Sequence, residues 1–203
     1  GLDFNNSKII TCHLGNGGSV TAIQNGQSVD TSMGFTPVEG VVMGTRCGDV
    51  DAGIVTFLQS KYDLDVKGVN DVLNKKSGFL GVSGVSSDAR DIEAAAKEGN
   101  HRAQLAMEMF RYRVKKFIGA YAAAMNGVDM IVFTGGIGEN DISVREDVCA
   151  GCSFLGIDFD SEANNVRGED RIITKPGSKV IVTTVTTNEE LVIAQDTMRL
   201  TTK

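Results

Sequence analysis

The segment of residues 11–22, TCHLGNGGSVTA, constrains the fold more than any other part of the chain. An apolar run over 9–12 and an alternating run over 19–23 flank Gly15, Asn16, Gly17 and Gly18. Asn-Gly favours a hairpin because both residues tolerate positive φ, so the segment predicts two antiparallel strands joined by a tight turn. Amides at a tip without bulky side chains can bind an anion such as phosphate. A plain glycine-rich hairpin is the alternative.

The segments after this hairpin alternate between loops and helices. Residues 27–31 predict a third short strand, and the loop over 34–51 is long enough to be functional and too apolar to be disordered. Helical spacing begins at Asp51 and again near residue 69, whereas 77–87 has the composition of a small-residue loop. Asp88 can cap a helix over 89–98.

The longest predicted helix begins at Asn100 and carries one continuous apolar stripe. Its members recur three or four residues apart, which is typical of core packing: Ala103, Met107, Phe110, Val114, Phe117, Tyr121 and Met125. The polar face is expected to be solvated, and it carries Arg111, Arg113, Lys115 and Lys116. Gly127 is the expected left-handed residue after the helix end.

The C-terminal part of the chain predicts parallel strands and helices. Residues 128–134 are almost all apolar, which is typical of a strand buried on both faces. A helix capped by Asp141 or Ser143, a strand over 179–183 and a helix over 188–200 follow. Hairpin strands followed by alternating helices and strands predict an α/β layer within one domain.

Composition excludes several classes of function. The 203 residues are 41% hydrophobic, enough for one sizeable core, and the net charge of −6 argues against general binding to nucleic acid or to membrane surfaces. With no apolar run of about 18 residues and no leader segment, we expect a cytoplasmic protein. The pair Cys149 and Cys152 has no neighbouring histidine, so neither a metal nor a redox motif is favoured.

Two further segments have the composition of ligand-binding loops. GGIGEN over 135–140 follows a predicted buried strand, but it lacks the third glycine of a dinucleotide fingerprint, and the chain has no Walker A loop. Thr187 and Glu190 predict a capping box at the last helix. Glu189 then remains available to hold Mg²⁺ or to interact with the helix dipole.

Two arginines also have two interpretations each. Arg46 lies on a glycine-flanked loop and could stabilise a transferring phosphoryl group, or it could pair with Asp49 or Asp51. Arg90 could contact a nucleotide, or it could pair with Asp91 or Glu93.

Together these segments resemble the acetate kinase family. The matching motifs run along almost the whole chain in the family's order and spacing: HLGNGGS (13–19), DTSMGFTPVEG with MGTRCGDVD (30–51), SSDARD (86–91), FTGGIGEN (133–140) and TNEELVIA (187–194). The resemblance implies a ribonuclease-H-like three-layer α/β/α domain, the fold of the superfamily of acetate and sugar kinases, heat-shock chaperone ATPases and actin. It also implies ATP or ADP as co-substrate, with Mg²⁺.

The resemblance assigns roles to individual residues. It implies that the phosphates of ATP lie against His13, Leu14, Gly15, Asn16 and Gly17. It implies a nucleotide pocket lined by Asp88, Ala89, Arg90, Gly136, Ile137, Gly138, Glu139 and Asn140. By the same resemblance, Glu189 helps to hold Mg²⁺ and Arg46 stabilises the transition state.

Members of this family are much longer than the chain. Residues 1–203 are therefore expected to be a single C-terminal nucleotide-binding domain, inactive alone, of an enzyme that makes acetyl phosphate from acetate with an absent N-terminal half. A homodimer is implied, with no nucleic acid or membrane partner. A propionate or butyrate kinase, or a self-association module with vestigial nucleotide binding, remains an alternative.

Overall fold

The computed structural model describes residues 2–201. Its strands are β1 (Lys8–Leu14), β2 (Gly18–Gln24), β3 (Gln27–Thr31), β4 (Met130–Thr134), β5 (Arg171–Ile172) and β6 (Ile181–Thr184). Its helices are α1 (Gly53–Tyr62), α2 (Val66–Lys75), α3 (Gly78–Ser83), α4 (Ala89–Lys97), α5 (His101–Ala124), α6 (Gly135–Asn140), α7 (Ile142–Ala150) and α8 (Glu189–Thr201). Short 3₁₀ helices span Phe4–Asn6 and Ser153–Leu155.

The six strands form one mixed sheet in the order β3-β2-β1-β4-β6-β5. Strands β1, β2 and β3 are antiparallel neighbours, as the hairpin pattern predicts, whereas β1, β4 and β6 are parallel. The carboxyl ends of these parallel strands, at Leu14, Thr134 and Thr184, therefore lie at one edge of the sheet. Open α/β sheets bind ligands at such an edge.

Helix α5 packs against β1 and β2, and its apolar stripe is confirmed as core. Every predicted member of the stripe is buried except Phe117, which is half-buried. In β4, however, only Ile131 and Phe133 are buried, and their neighbours are half-buried. The expectation that β4 is buried on both faces was therefore wrong, because only one face of the strand reaches the core.

The Asn-Gly pair with positive φ lies in a different hairpin from the one predicted. The left-handed Asn-Gly pair is Asn25 (φ 53°) with Gly26 (φ 76°), which joins β2 to β3. At the tip between β1 and β2, Asn16 does not adopt positive φ. That turn is closed instead by the Gly15 amide, which donates to the Gly17 carbonyl at 2.8 Å.

Two short helices occupy segments that were predicted to be loops or turns, α3 within 77–87 and α6 over 135–140. Helix α3 begins at Gly78, whose φ of 63° disfavours other residues. Its next amides, those of Phe79 and Leu80, donate to the carbonyls of Met43 and Gly44 at 2.9 and 3.0 Å. The loop before α1 thus satisfies the helix start, a contact that local sequence does not encode.

The polar face of α5 is less solvated than predicted. Arg111 pairs with Asp147 at 2.6 Å, and Arg113 donates to the Asp49 carboxylate at 3.2 Å and to the Asp49 carbonyl at 3.0 Å. These contacts attach α5 to α7 and to the loop before α1.

The left-handed residue after α5 is Asn126 (φ 54°), one position before the predicted Gly127. The Gly127 amide donates to the Ala122 carbonyl at 2.7 Å, as in a Schellman motif. Within residues 2–201, no helix has the length and apolar character that crossing a bilayer requires.

Candidate functional site

A cleft of about 520 Å³ lies at the carboxyl edge of the parallel strands. Its volume falls within the ~300–1,000 Å³ that small-molecule sites occupy. The hairpin tip, the start of α4, helix α6 and the loop before β5 contribute its walls. The lining residues are Gly15, Asn16, Phe79, Ser87, Asp88, Ala89, Arg90, Glu93, Gly136, Ile137, Asn140, Asp141 and Arg167.

The hairpin tip, of which Gly15 and Asn16 line this cleft, carries unpaired main-chain amides. Within the described part of the chain, the amides of Asn16 and Gly17 donate to no protein acceptor. The Asn16 carbonyl accepts from the Gly44 amide at 3.1 Å, which fixes the tip against the loop over 40–48. A Cβ at Gly44 would lie 2.8 Å from the Ser87 carbonyl oxygen, so this close approach requires glycine. Two free amides on a rigid turn are suited to bind an anion.

The other predicted residues of the hairpin do not line the cleft. The Leu14 side chain is fully buried in the core, and His13 is half-buried on the opposite face of β1. Gly17 lies beside Arg46, because a Cβ there would be 3.7 Å from Arg46 Nη1.

Arg46 places a cation next to the hairpin tip, and among the side chains that the structure describes it has no carboxylate partner. Its Nη1 lies 3.3 Å from Met43 Sδ and 3.5 Å from the Pro37 carbonyl oxygen. The alternative that Arg46 pairs with Asp49 or Asp51 was wrong, since neither carboxylate lies within 4 Å of it. Asp49 is held instead by Arg113 and by the Gly40 amide at 2.8 Å.

Asp88 and Arg90 form a linked pair at the start of α4. The Asp88 carboxylate caps the helix by accepting from the Arg90 amide at 2.9 Å, and it also accepts from Arg90 Nε at 3.0 Å and Nη2 at 2.6 Å. The Arg90 side-chain hydrogen bonds, followed by the backbone one, lower the pKa of Asp88 to about 2. The alternative pairing of Arg90 with Asp91 or Glu93 was wrong, because Asp91 accepts from Ser86 and Glu93 pairs with Lys97.

Helix α6 supplies three of its five predicted residues to the cleft, namely Gly136, Ile137 and Asn140. Gly138 is buried and does not line the cleft. Glu139 also lies outside the lining, because its Oε1 accepts from the Gly135 amide, the Thr187 amide and the Thr187 hydroxyl, each at 2.9 Å.

The segment before α8 therefore lies next to α6. Thr187 is engaged by Glu139, so the predicted capping box between Thr187 and Glu190 was wrong. Asn188 caps α8 instead, and its Oδ1 accepts from the Leu191 amide at 3.0 Å.

Sequence reasoning missed the contribution of residues 164–168. Arg167 lines the cleft, and the fully buried Arg145 on α7 holds its loop. Arg145 donates to the Gly138 carbonyl at 3.0 Å, to Asn164 Oδ1 at 2.7 Å, and to the carbonyls of Asn164 and Val166 at 2.9 and 2.8 Å. Burial lowers the pKa of Arg145, and the nearby Asp141 carboxylate offsets part of this effect. The available signal was a charged residue at a core-facing position of α7, between Val144 and Val148.

Among the residues that the structure describes, no cluster of three His, Cys, Asp or Glu side chains could hold a metal ion. Mg²⁺ does not need such a cluster, because it commonly binds through one or two carboxylates, water and substrate phosphates. Glu189 begins α8, but its side chain lies outside the described part of the structure.

Three cysteines, which we call the core thiols, are Cys12, Cys149 and Cys152. All three are buried and free. Burial raises the pKa of each thiol, to about 11 for Cys152. Their environment is that of inert core residues.

The family model described as the acetokinase family matches residues 1–195. The chain belongs to the acetokinase family. An acetate kinase of Phocaeicola vulgatus is 58% identical over 203 residues, which cover all of this chain and 51% of that protein. The crystal structure of Porphyromonas gingivalis acetate kinase superimposes with a TM-score of 0.94 at 57% identity, covering 98% of this chain and 50% of that one. A propionate kinase structure from Francisella tularensis matches with a TM-score of 0.87 at 40% identity, covering 94% of this chain and 49% of that one.

These similarities confirm the family resemblance and the expected α/β fold. The chain spans about half the length of the acetokinase relatives that it matches. The family is one of kinases.

Proposed function

We propose that the chain is the ATP- and ADP-binding half of an acetate kinase, which transfers the γ-phosphoryl group of ATP to acetate and back. The hairpin tip carries this proposal, because Asn16 of the tip lines the cleft, the amides of Asn16 and Gly17 are unpaired in the described structure, and the Arg46 guanidinium lies beside Gly17. A polyanionic phosphate chain matches this concentration of donors.

The geometry suggests how a nucleotide would lie. Its phosphates would contact the amides of Asn16 and Gly17, and its nucleoside would extend along α6 and the start of α4, past Asp88, Ala89 and Arg90. The glycines of α6 let a flat ring approach the main chain closely.

Within this arrangement Arg46 would stabilise the charge that spreads over the transferring phosphoryl group. Its side chain has no carboxylate within 4 Å in the described structure, so its positive charge remains available to a ligand. Arginines in such positions accelerate phosphoryl transfer by about 10³ to 10⁵.

Magnesium would neutralise phosphate charge when bound. The chain's proposed contribution to its coordination is Glu189, which begins α8 two residues after Thr187. Thr187 is fixed to Glu139 and so to Gly135, which places the start of α8 at the same sheet edge as the hairpin tip.

The acyl group and the partners are part of the same proposal. Relatives that match the chain at 57–58% identity are acetate kinases, which supports acetate as the substrate. We further propose that the protein is cytoplasmic and that it forms a homodimer. The exposed apolar side chains of Leu105, Met109 and Tyr112 on α5 support the dimer. Sedimentation at several concentrations tests the dimer, and a monomer at every concentration would contradict it.

Calorimetric titration with Mg-ADP tests nucleotide binding. Asn16→Asp places a carboxylate at the tip, and repulsion of about 1.4 kcal/mol or more corresponds to at least a tenfold loss of affinity. The matched control is Asn5→Asp, which makes the same charge change at an exposed residue far from the cleft. We expect the parent and the control to bind equally. Equal binding by a folded Asn16→Asp variant would refute the assignment of the tip.

Turnover tests the role of the half-length chain. It lacks the half that is expected to hold acetate, so we expect no acetyl phosphate from ATP and acetate. Acetyl phosphate formed by the purified 203-residue chain would contradict this expectation.

A further inference from the structure

The two ends of the cleft differ in charge. The hairpin tip combines free amides with Arg46, and no carboxylate lies within 4 Å of that arginine in the described structure. The other end opens into a second depression of about 420 Å³. Glu93, Asp141 and Arg167 line both cavities and so mark this end, which we call the distal end.

Arg167 is an exposed side chain on a rigid loop. The carbonyls of Asn164 and Val166 are fixed by Arg145, which also holds the Gly138 carbonyl of α6. On the other side of Arg167, the Gly168 amide donates to the Glu139 carbonyl at 3.3 Å. The backbone on both sides of Arg167 is therefore attached to α6, which forms a wall of the cleft.

The guanidinium of Arg167 is available to a ligand. In the described structure no carboxylate lies within 4.0 Å of it, although Glu93 and Asp141 line the same end of the cleft. These two carboxylates disfavour a phosphate at the distal end, because like charges repel. A neutral planar ring suits this end better, since guanidinium groups stack on aromatic faces.

We propose that Arg167 lies over the nucleobase of a nucleotide whose phosphates occupy the hairpin tip. This inference rests on the proposed function of the cleft, and it adds a residue of the 164–168 loop that contacts the base. Stacking of this kind contributes about 0.5–2 kcal/mol, which corresponds to a loss of about two- to thirtyfold in affinity when it is removed.

The test compares a ligand with a base and a ligand without one. Mg-ADP and Mg-pyrophosphate are titrated calorimetrically into the parent chain, Arg167→Ala, Arg167→Lys and the control Arg171→Ala. Arg171 is an exposed arginine paired with Glu169 and does not line the cleft. We expect Arg167→Ala to weaken Mg-ADP by two- to thirtyfold and to leave Mg-pyrophosphate within twofold of the parent. Arg167→Lys should recover only part of the loss, and the control should match the parent.

The outcomes separate this inference from the proposed function. A parent that binds neither ligand refutes the proposed function and this inference with it. If the parent binds Mg-ADP and Arg167→Ala binds it equally well, Arg167 makes no contact and only the inference fails. Equal weakening of both ligands would make Arg167 a phosphate contact, and full recovery by lysine would show that a point charge suffices. Either result overturns the stacking arrangement.

Discussion

Replacing Arg145 should destabilise the fold more than replacing any exposed arginine. Its guanidinium is fully buried and donates to four acceptors, three of them main-chain carbonyls. Arg145→Met keeps much of the volume but leaves these acceptors without donors in a site that excludes water. Each buried acceptor left without a donor costs about 1–3 kcal/mol of stability. Because methionine carries no charge, the variant avoids the desolvation cost of the guanidinium, which offsets part of this loss. We therefore expect a loss of about 3–5 kcal/mol, against a typical total stability of about 5–15 kcal/mol.

Urea unfolding followed by circular dichroism measures this loss. With a slope of about 2 kcal/mol per molar urea, the midpoint should fall by about 1.5–2.5 M. Arg171→Met is the matched control, because Arg171 is exposed and its 3.2 Å pair with Glu169 is also at the surface. The control should change stability by at most about 1 kcal/mol. A midpoint shift below about 0.5 M for Arg145→Met would refute the claim that these four bonds hold the 164–168 loop.

Three further measurements test other parts of the structure. The pKa of Asp88 is lowered to about 2. Its exposed pair with Arg90 should therefore add about 0.2–1 kcal/mol to the free energy of unfolding above pH 4, and this contribution should be lost as the pH falls through 2. Asp88→Asn keeps a capping oxygen, and a stability deficit that persisted below pH 2 would contradict this sign. Glu139→Ala should speed hydrogen exchange of the Thr187 amide at least about tenfold, whereas Glu139→Gln, which retains an acceptor oxygen, should not. Equal exchange rates in the two variants would contradict the hydrogen bond from Thr187 to Glu139. An Ellman titration of the native chain should modify Cys47 first and the core thiols only in denaturant, so rapid reaction of all four would contradict their burial.

Local pattern predicted the elements whose stability depends on periodicity. The strand Gln27–Thr31 has the predicted bounds, and the stripe on α5 packs as its spacing requires. The spacing of apolar residues predicts which side chains share a face of a helix or strand. It does not predict which of these faces packs against another element. That is why the half-exposed face of β4 could not be foreseen.

The misassigned segments depend on contacts between residues far apart in sequence. Helix α3 forms in a glycine-rich segment because carbonyls of Met43 and Gly44 accept its first amides. Asn188 rather than Thr187 caps α8, and the amide and hydroxyl of Thr187 donate instead to the carboxylate of Glu139, 48 residues away. The residues next to either segment in the sequence do not indicate these distant hydrogen-bond partners.

The parts of the candidate site that are formed by glycine-rich main chain could be predicted from the sequence. Glycine spacing identified the hairpin tip and the segment 135–140 after β4, which contribute two walls of the observed cleft. Arg167 was missed because its segment has no periodicity and its position depends on Arg145, which reaches it from another helix. Side chains recruited by a buried hydrogen-bond network leave little local signal.

The contrast between the two ends of the cleft affects how its specificity can be altered. At the hairpin tip the donors are amides of Asn16 and Gly17, and every residue except proline carries such a group. Side-chain substitution there can block the tip but cannot redesign it. At the distal end, Glu93, Asp141 and Arg167 come from three separate segments, so each can be replaced independently. Libraries that vary these three positions can therefore retune which ring the cleft accepts while the phosphate end stays constant.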